Sequence, residues 1–331
     1  MKPKIINKSS FASLWMLAIL AIPSMFTPAH AFEAPSDISG ELMVFHAGSL
    51  AVPFKEVVKA FNKEYPSVRV LTEAAGSRAC ARKISDLNRD CDVFGSADYS
   101  VIDTLLIPEH TTWNIRFAAN EMVIAYTEDS RRADEIDSDN WHRILLEKNV
   151  AYGRADPNVD PCGYRTVITS KLAEIHYGEP GLAARLLGKD RRHIRPKETD
   201  LLALLEVGEI DYFFIYRSVA RQHGLKWVTL PDEINLKNPE MANIYRKATV
   251  EISGKTLGSV IEKSGAPMVY GVTIPKNARN PKAALAFVTF LLERDKGMAI
   301  MERNGQPSLV PTLSDTYDYI PGPLKRFALK P

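Results

Sequence analysis

Glu41-Leu-Met-Val-Phe-His-Ala-Gly-Ser-Leu50 is a short apolar strand that runs into a turn of small residues. Just beyond it Phe54, Val57, Val58 and Phe61 recur at helical spacing, which predicts a helix over residues 49–65. The pattern then repeats: a strand over 68–73, the turn Ala75-Gly-Ser-Arg78, a helix from Ser77 to about Leu87, and a strand over 91–95. Strand and helix in alternation predict a parallel, doubly wound α/β sheet. In such sheets ligands bind at the loops that follow the strands' carboxyl ends.

Residues 121–126 read as a strand leading out of this first sheet, and 149–153, 210–216 and 226–230 as strands of a second. Residues 269–274 read as the return strand, followed by an amphipathic helix over 281–292. Two crossings between two sheets predict two lobes on a two-strand hinge, with residues 32–122 and 272–331 in the first lobe and 123–271 in the second. Closing such lobes on a small ligand requires only a few backbone torsions to change, so the cleft between them is the expected binding site.

Residues 1–31 carry Lys2, Lys4 and Lys8, then an apolar run from Phe11 to Phe26, then Ala29-His-Ala31, the order of a secretory signal cleaved before Phe32. That run is short for a membrane span of about 20 residues, and no later segment is long and apolar enough to be one. The expected protein is periplasmic, not membrane-embedded, and, with no cysteine at the cleavage point, an untethered monomer. Removing the three signal lysines takes the net charge from +2 to −1, with 39 basic against 40 acidic residues. Such a balance gives no bulk attraction to nucleic acid or membrane. Cys80 and Cys91 are candidates for a disulfide in an oxidising compartment, with the geometry left open by spacing alone, and Cys162 is left over. The densest charge run, Lys189-Asp-Arg-Arg-His-Ile-Arg-Pro-Lys197, reads as a solvated connection.

Three turns are each placed to open a helix: His46-Ala-Gly-Ser-Leu50, Ala75-Gly-Ser-Arg78 and Asp160-Pro-Cys-Gly-Tyr-Arg165. A helix start presents unpaired N–H groups and the positive end of a dipole, so three converging starts hold an anion with neutral donors. Ser49 and Ser77 offer hydroxyls to that anion, or serve as plain N-caps. Gly48 and Gly76, with Ala47 alongside, remove bulk so that the backbone approaches a ligand. Asp160 before Pro161 is an N-cap candidate for a helix to about His176. A carboxylate is repelled by a dianion unless it bonds the central atom or carries a proton, so Asp160 is also a candidate metal ligand. The Cys162 N–H and the Tyr216 hydroxyl are candidate donors from the second lobe. Arg78, Arg165 and Arg217 flank these turns and read as structural or solvated cations.

Seven stretches run in order through nearly the whole chain: Phe45-His-Ala-Gly-Ser-Leu50, Glu73-Ala-Ala-Gly-Ser77, Ser96-Ala-Asp-Tyr99, Asn120-Glu-Met-Val-Ile-Ala-Tyr126, Asp156-Pro-Asn-Val-Asp-Pro-Cys-Gly-Tyr-Arg165, Tyr216-Arg-Ser-Val-Ala220 and Asn304-Gly-Gln-Pro307. Together they resemble the periplasmic molybdate and tungstate binding proteins, in particular the tungstate-transport branch. The resemblance implies a type II periplasmic binding fold that takes molybdate or tungstate as ligand, has no cofactor and no catalytic role, and delivers the anion to an ABC permease. It implies that Ser49 and Ser77 donate to the oxyanion. It also implies two carboxylates bonded to the metal: Asp160 and a glutamate just before Tyr216. The residue at that second position is Ile215, which supplies no oxygen. The expectation is therefore a four-coordinate anion held in part by the Tyr216 hydroxyl.

Two other readings stand beside this one. The same receptor could take sulfate or phosphate. Alternatively Cys162, at a helix start that lowers a thiol's pKa, could be the nucleophile of an exported hydrolase with His46 or His176 as its base.

Overall fold

A computed structural model describes residues 38–331; the expected signal, 1–31, lies outside the described residues. Strand β1 (Gly40–Ala47) runs through a 3-10 turn (Gly48–Leu50) into α1 (Ala51–Glu64), and β2 (Val68–Ala75) runs into α2 (Ser77–Ser85). β3 (Val93–Ser96), α3 (Tyr99–Leu105) and β4 (Ile115–Ala119) follow. β1 pairs in parallel with both β2 and β3, as strands joined by helical crossovers do. Phe54, Val57 and Phe61 form the buried face of α1, and Phe61 packs edge-on against Phe287 of the helix Pro281–Leu292.

From β4 the chain passes through Asn120 and Glu121 into β5 (Met122–Tyr126), the first strand of a second sheet. The elements α4 (Trp141–Leu145), β6 (Tyr152–Ala155), α5 (Pro161–Tyr177), β7 (Ile194–Arg195), β8 (Tyr212–Tyr216) and β9 (Lys226–Thr229) follow. The second sheet has the order β7-β6-β8-β5-β9, with β6 parallel to β7 and β8. β5 is antiparallel to β8 and β9. Strands β10 (Thr249–Ser253) and β11 (Val260–Ser264) make a separate hairpin that the sequence pattern did not announce. β12 (Val269–Thr273) then returns to the first sheet, antiparallel to β3 and β4, giving the order β2-β1-β3-β12-β4.

Two sheets and two crossings are what the alternation predicted. The charged run is more than a solvated connection: it contains edge strand β7 and the buried His193. Cys80 and Cys91 are buried free thiols, without a disulfide between them. No helix among the described residues is long and apolar enough to cross a membrane.

Candidate functional site

Five turns meet between the two sheets, each at the carboxyl end of one of the parallel strands: Gly48-Ser49 after β1, Gly76-Ser77 after β2, Val159-Asp160 after β6, Lys197-Glu198 after β7, and Tyr216 ending β8. How tightly they meet is set by the two glycines. A Cβ at Gly76 would lie 2.4 Å from the Val159 carbonyl oxygen, and one at Gly48 would lie 2.8 Å from Glu198 Oε2 and 2.9 Å from Lys197 Cγ. The Ala79 N–H of α2 also donates to the Val159 carbonyl at 3.2 Å. The missing side chains thus make room for the opposite sheet's loops, where the sequence suggested only room for a ligand.

The hydroxyls are the first part of the site. Neither Ser49 nor Ser77 caps a helix. Ser77 Oγ accepts from the Ala97 N–H at 2.9 Å, Ser49 Oγ from the Tyr270 hydroxyl at 3.1 Å, and the Tyr216 hydroxyl from Arg165 at 3.0 Å. All three are buried. A hydroxyl that accepts from behind keeps its own hydrogen to give, so the three are set as O–H donors. Burial pushes the Tyr216 phenol well above its ordinary pKa, against the pull of Arg165, and so keeps that hydrogen in place. Ala47 is buried beside them, its carbonyl bonded to His46 Nδ1 at 2.8 Å.

The second part is a pair of carboxyls. Asp160 is the N-cap of α5, with Pro161 in the first turn as expected, and accepts from the Cys162 N–H at 2.6 Å. That bond occupies the N–H that Cys162 was expected to give to an anion. Beside Asp160 stands Glu198, a residue that sequence reasoning missed. It opens the 3-10 turn Glu198–Asp200 directly after the charged run, is fully buried, and neither of its carboxyl oxygens has a hydrogen-bond donor among the described residues. Burial and the facing Glu198 carboxyl push Asp160 well above the usual carboxylate pKa. Burial raises Glu198 as well. Ile215, where the second carboxylate was looked for, lies in β8 opposite Val123 and is fully buried. Successive strand residues point to opposite faces, so Ile215 faces away from the side that Tyr216 serves.

Cys162 lacks what a nucleophile needs. Its thiol donates to the Phe214 carbonyl at 3.5 Å, and burial with the nearby Asp160 and Glu198 carboxyls pushes it well above a thiol's ordinary pKa. His46 is bonded to Ala47, and His176 faces Glu233 at 3.9 Å. The flanking arginines are structural, as read: Arg78 donates to the Asn158 and Ser253 carbonyls, Arg165 to the Ala97 carbonyl at 2.9 Å, and Arg217 to Glu121 at 2.7 Å.

Asp98, on the loop after β3, ties the first sheet to α5 and to the β10–β11 hairpin. It accepts from the Tyr164 hydroxyl at 2.5 Å, pairs with Lys263 of β11 at 2.8 Å and lies 3.8 Å from Arg165. Burial alone would raise its carboxyl, but Lys263, Arg165 and Tyr164 outweigh burial and hold it well below the usual carboxylate range. Asp98→Asn is expected to cost about 3 kcal/mol at pH 7, because the buried Arg165 and the half-buried Lys263 lose their shared partner. A depressed folded pKa contributes stability above the unfolded value of about 3.9 and loses it as pH falls below that. Urea unfolding should therefore separate the variant from the parent chain at pH 7 and bring the two together progressively below pH 4.

The fold has counterparts among known proteins. The chain is 42% identical over 303 residues to the molybdate/tungstate-binding protein of Pyrococcus abyssi, covering 83% of this chain and 87% of that one. It is 53% identical over 292 residues, 88% of this chain and 91% of the relative, to an uncharacterized solute-binding protein of Petrotoga mobilis. Among solved structures, the periplasmic molybdate-binding protein of Azotobacter vinelandii superposes with a TM-score of 0.57 at 15% identity, covering 82% of this chain and 99% of that one. The sulfate-binding protein of Mycobacterium tuberculosis also gives 0.57, at 12% identity over 81% of this chain and 87% of that one. These two likenesses show the shared fold, the two-lobed type II periplasmic binding architecture. Residues 42–306 match the family model described as bacterial extracellular solute-binding protein, and the chain belongs to that family.

Proposed function

We propose that the chain is an exported receptor that captures molybdate or tungstate between its lobes and presents it to an ABC permease. The observation that carries this reading is the Asp160–Glu198 pair, two buried carboxyls facing hydroxyls set as donors. The donors Ser49, Ser77 and Tyr216 suit the oxo groups. As carboxylates, Asp160 and Glu198 fit beside a dianion only where its central atom accepts them as ligands; otherwise they must carry protons. Molybdenum and tungsten add two oxygen ligands to a tetrahedral oxyanion, whereas the sulfur of sulfate and the phosphorus of phosphate do not. Asp160 and Glu198 thus raise the metal to six-coordination, replacing the four-coordinate site that Ile215 suggested. The relatives from Pyrococcus abyssi and Thermococcus kodakarensis, both named molybdate/tungstate-binding, support the choice of ligand.

The lobes divide at the two passages between the sheets, Asn120-Glu121 and the stretch between β9 and β12. An anion that touches Ser49 and Ser77 on one lobe and Asp160, Glu198 and Tyr216 on the other makes its full set of contacts only when the lobes meet. That difference in contacts shifts the population toward closure. The protein acts as a periplasmic monomer without cofactor. Calorimetric titration with molybdate, tungstate and sulfate tests the reading: sulfate is expected to bind at least about 100-fold more weakly than the other two, since each donor left unpaired costs about 1–3 kcal/mol. Sulfate binding as tight as molybdate would sink it.

A further inference from the structure

We infer that Asn120 and Tyr270 are positioning residues that hold Ser49 as an oxyanion donor, through a hydrogen-bond chain of fixed proton direction running from the hinge into the cleft. The inference deepens the oxyanion reading and rests on it. Asn120 sits in the crossing between β4 and β5. Its Oδ1 accepts from the main-chain N–H groups of Glu121 at 3.0 Å and Ser218 at 3.4 Å. Main-chain N–H groups only donate, so the amide oxygen must face them. Nδ2 is then left to donate its two hydrogens, to Ser218 Oγ at 2.7 Å and to the Tyr270 hydroxyl at 2.9 Å. Tyr270, on β12, in turn gives its hydrogen to Ser49 Oγ at 3.1 Å. The Ser49 hydrogen is what remains for a ligand.

Asn120, Tyr270 and Ser49 are all buried, so water does not replace a missing donor, and each bond polarises the next. Gln306 fixes the same turn from another side, donating to the Ser49 carbonyl at 2.9 Å. Ser218 lies two residues beyond Tyr216, in the helix Arg217–Gln222. One amide therefore touches both the second-sheet helix start next to Tyr216 and the first-sheet strand behind Ser49. The chain is complete only when those two are at their present separation, which links the state of the hinge to the readiness of Ser49.

The test is molybdate titration of the full exported chain and its variants, with thermal melts as a check on folding. Tyr270→Phe keeps the ring against Phe117 and Tyr216 and removes only the relay. It is expected to weaken molybdate binding about tenfold. Asn120→Asp presents a carboxylate that takes the Tyr270 hydrogen for itself, and the same tenfold loss is expected. In a Ser49→Ala background, where the relay has no end, either substitution should change affinity less than twofold. A role in packing or hinge stiffness alone would cost tenfold in both backgrounds, and that result overturns the inference, as does unchanged binding by both single variants. Should Tyr270→Phe fail to fold, Asn120→Asp carries the same cycle. If the parent chain binds neither molybdate nor tungstate, the oxyanion reading falls and the relay with it; if the parent binds and the variants match it, the relay alone falls.

Discussion

Gly76→Ala is expected to lower molybdate affinity at least about 100-fold while leaving the ligand-free fold intact. Gly76 has φ −57° and ψ 139°, a conformation open to any residue, so the backbone itself does not resist the change. As N-cap of α2 it gives no side-chain bond to lose. The local penalty is then at most about 1 kcal/mol, a shift of roughly 2–4 °C in melting temperature. The large effect arises across the cleft. A Cβ 2.4 Å from the Val159 carbonyl oxygen is more than 1 Å short of ordinary contact, and the atom it meets is main chain that belongs to the Asp160 turn. The lobes would stop short of their present approach, and Ser49 and Ser77 would be out of reach of an anion seated on Asp160. Two donors lost at about 1–3 kcal/mol each account for the expected factor. Small-angle scattering should show the parent chain compacting with molybdate and the variant remaining open. Equal compaction and equal affinity would show that the lobes close in some other way. Gly48→Ala is the milder comparison, because the atoms it meets are the Glu198 carboxyl and Lys197 Cγ, side-chain rather than main-chain atoms.

The parts of the site that were legible in the sequence are those written in local chemistry. Gly-Ser after an apolar strand marks a strand-to-helix turn, and Asp-Pro marks a helix start; both stand where they were read. The role of the serine hydroxyls was not legible, because the competition between capping and facing the cleft is settled by partners far along the chain. Ser49 is held by Tyr270 and Ser77 by Ala97. Glu198 was hidden for a different reason. Its turn is only three residues long, carries no Gly or Ser, and follows a basic run whose usual meaning is solvent exposure. The one available signal was position: Pro196-Lys-Glu198 comes directly after a strand that pairs in parallel with β6, and the carboxyl ends of parallel strands are where ligands are met. Strand β7 has just two residues, too few for any periodicity to reveal. Tyr270 carried no local mark, and Asn120 was marked only as the first residue of a family-like stretch, with no role attached. An aromatic in a strand reads as core, and only the packed structure shows its hydroxyl turned toward a serine.

Glu198→Gln separates the two carboxyls in a way that discriminates among the possible anions. If Glu198 bonds the metal, glutamine removes an anionic ligand, and molybdate and tungstate affinity should fall by about 100-fold or more, with X-ray absorption showing the metal drop from six-coordination. Sulfate gains nothing from Glu198 and is repelled by it, so its affinity should hold or rise. The molybdate-to-sulfate ratio therefore collapses from both sides, an outcome that general damage to the fold does not produce. The same change has a signature without any anion. Burial raises both carboxyls of the pair in the folded chain, and the facing Glu198 carboxyl raises Asp160 further, so the fold binds protons more readily than the unfolded chain. The stability from that source is fully present below the unfolded carboxylate values of about 4 and is lost as pH rises through the raised values. Removing one member relieves the repulsion, and the ligand-free variant should be more stable than the parent at pH 7, with a flatter dependence between pH 4 and 8. A site built to hold a dianion would then have been made firmer and less useful by one atom's change, because the unfavourable pair that glutamine relieves is the pair that recognises the metal. If instead the ratio of affinities is unchanged, Glu198 does not touch the metal, and the anion is held as a tetrahedron by the hydroxyls with Asp160 as a cap alone.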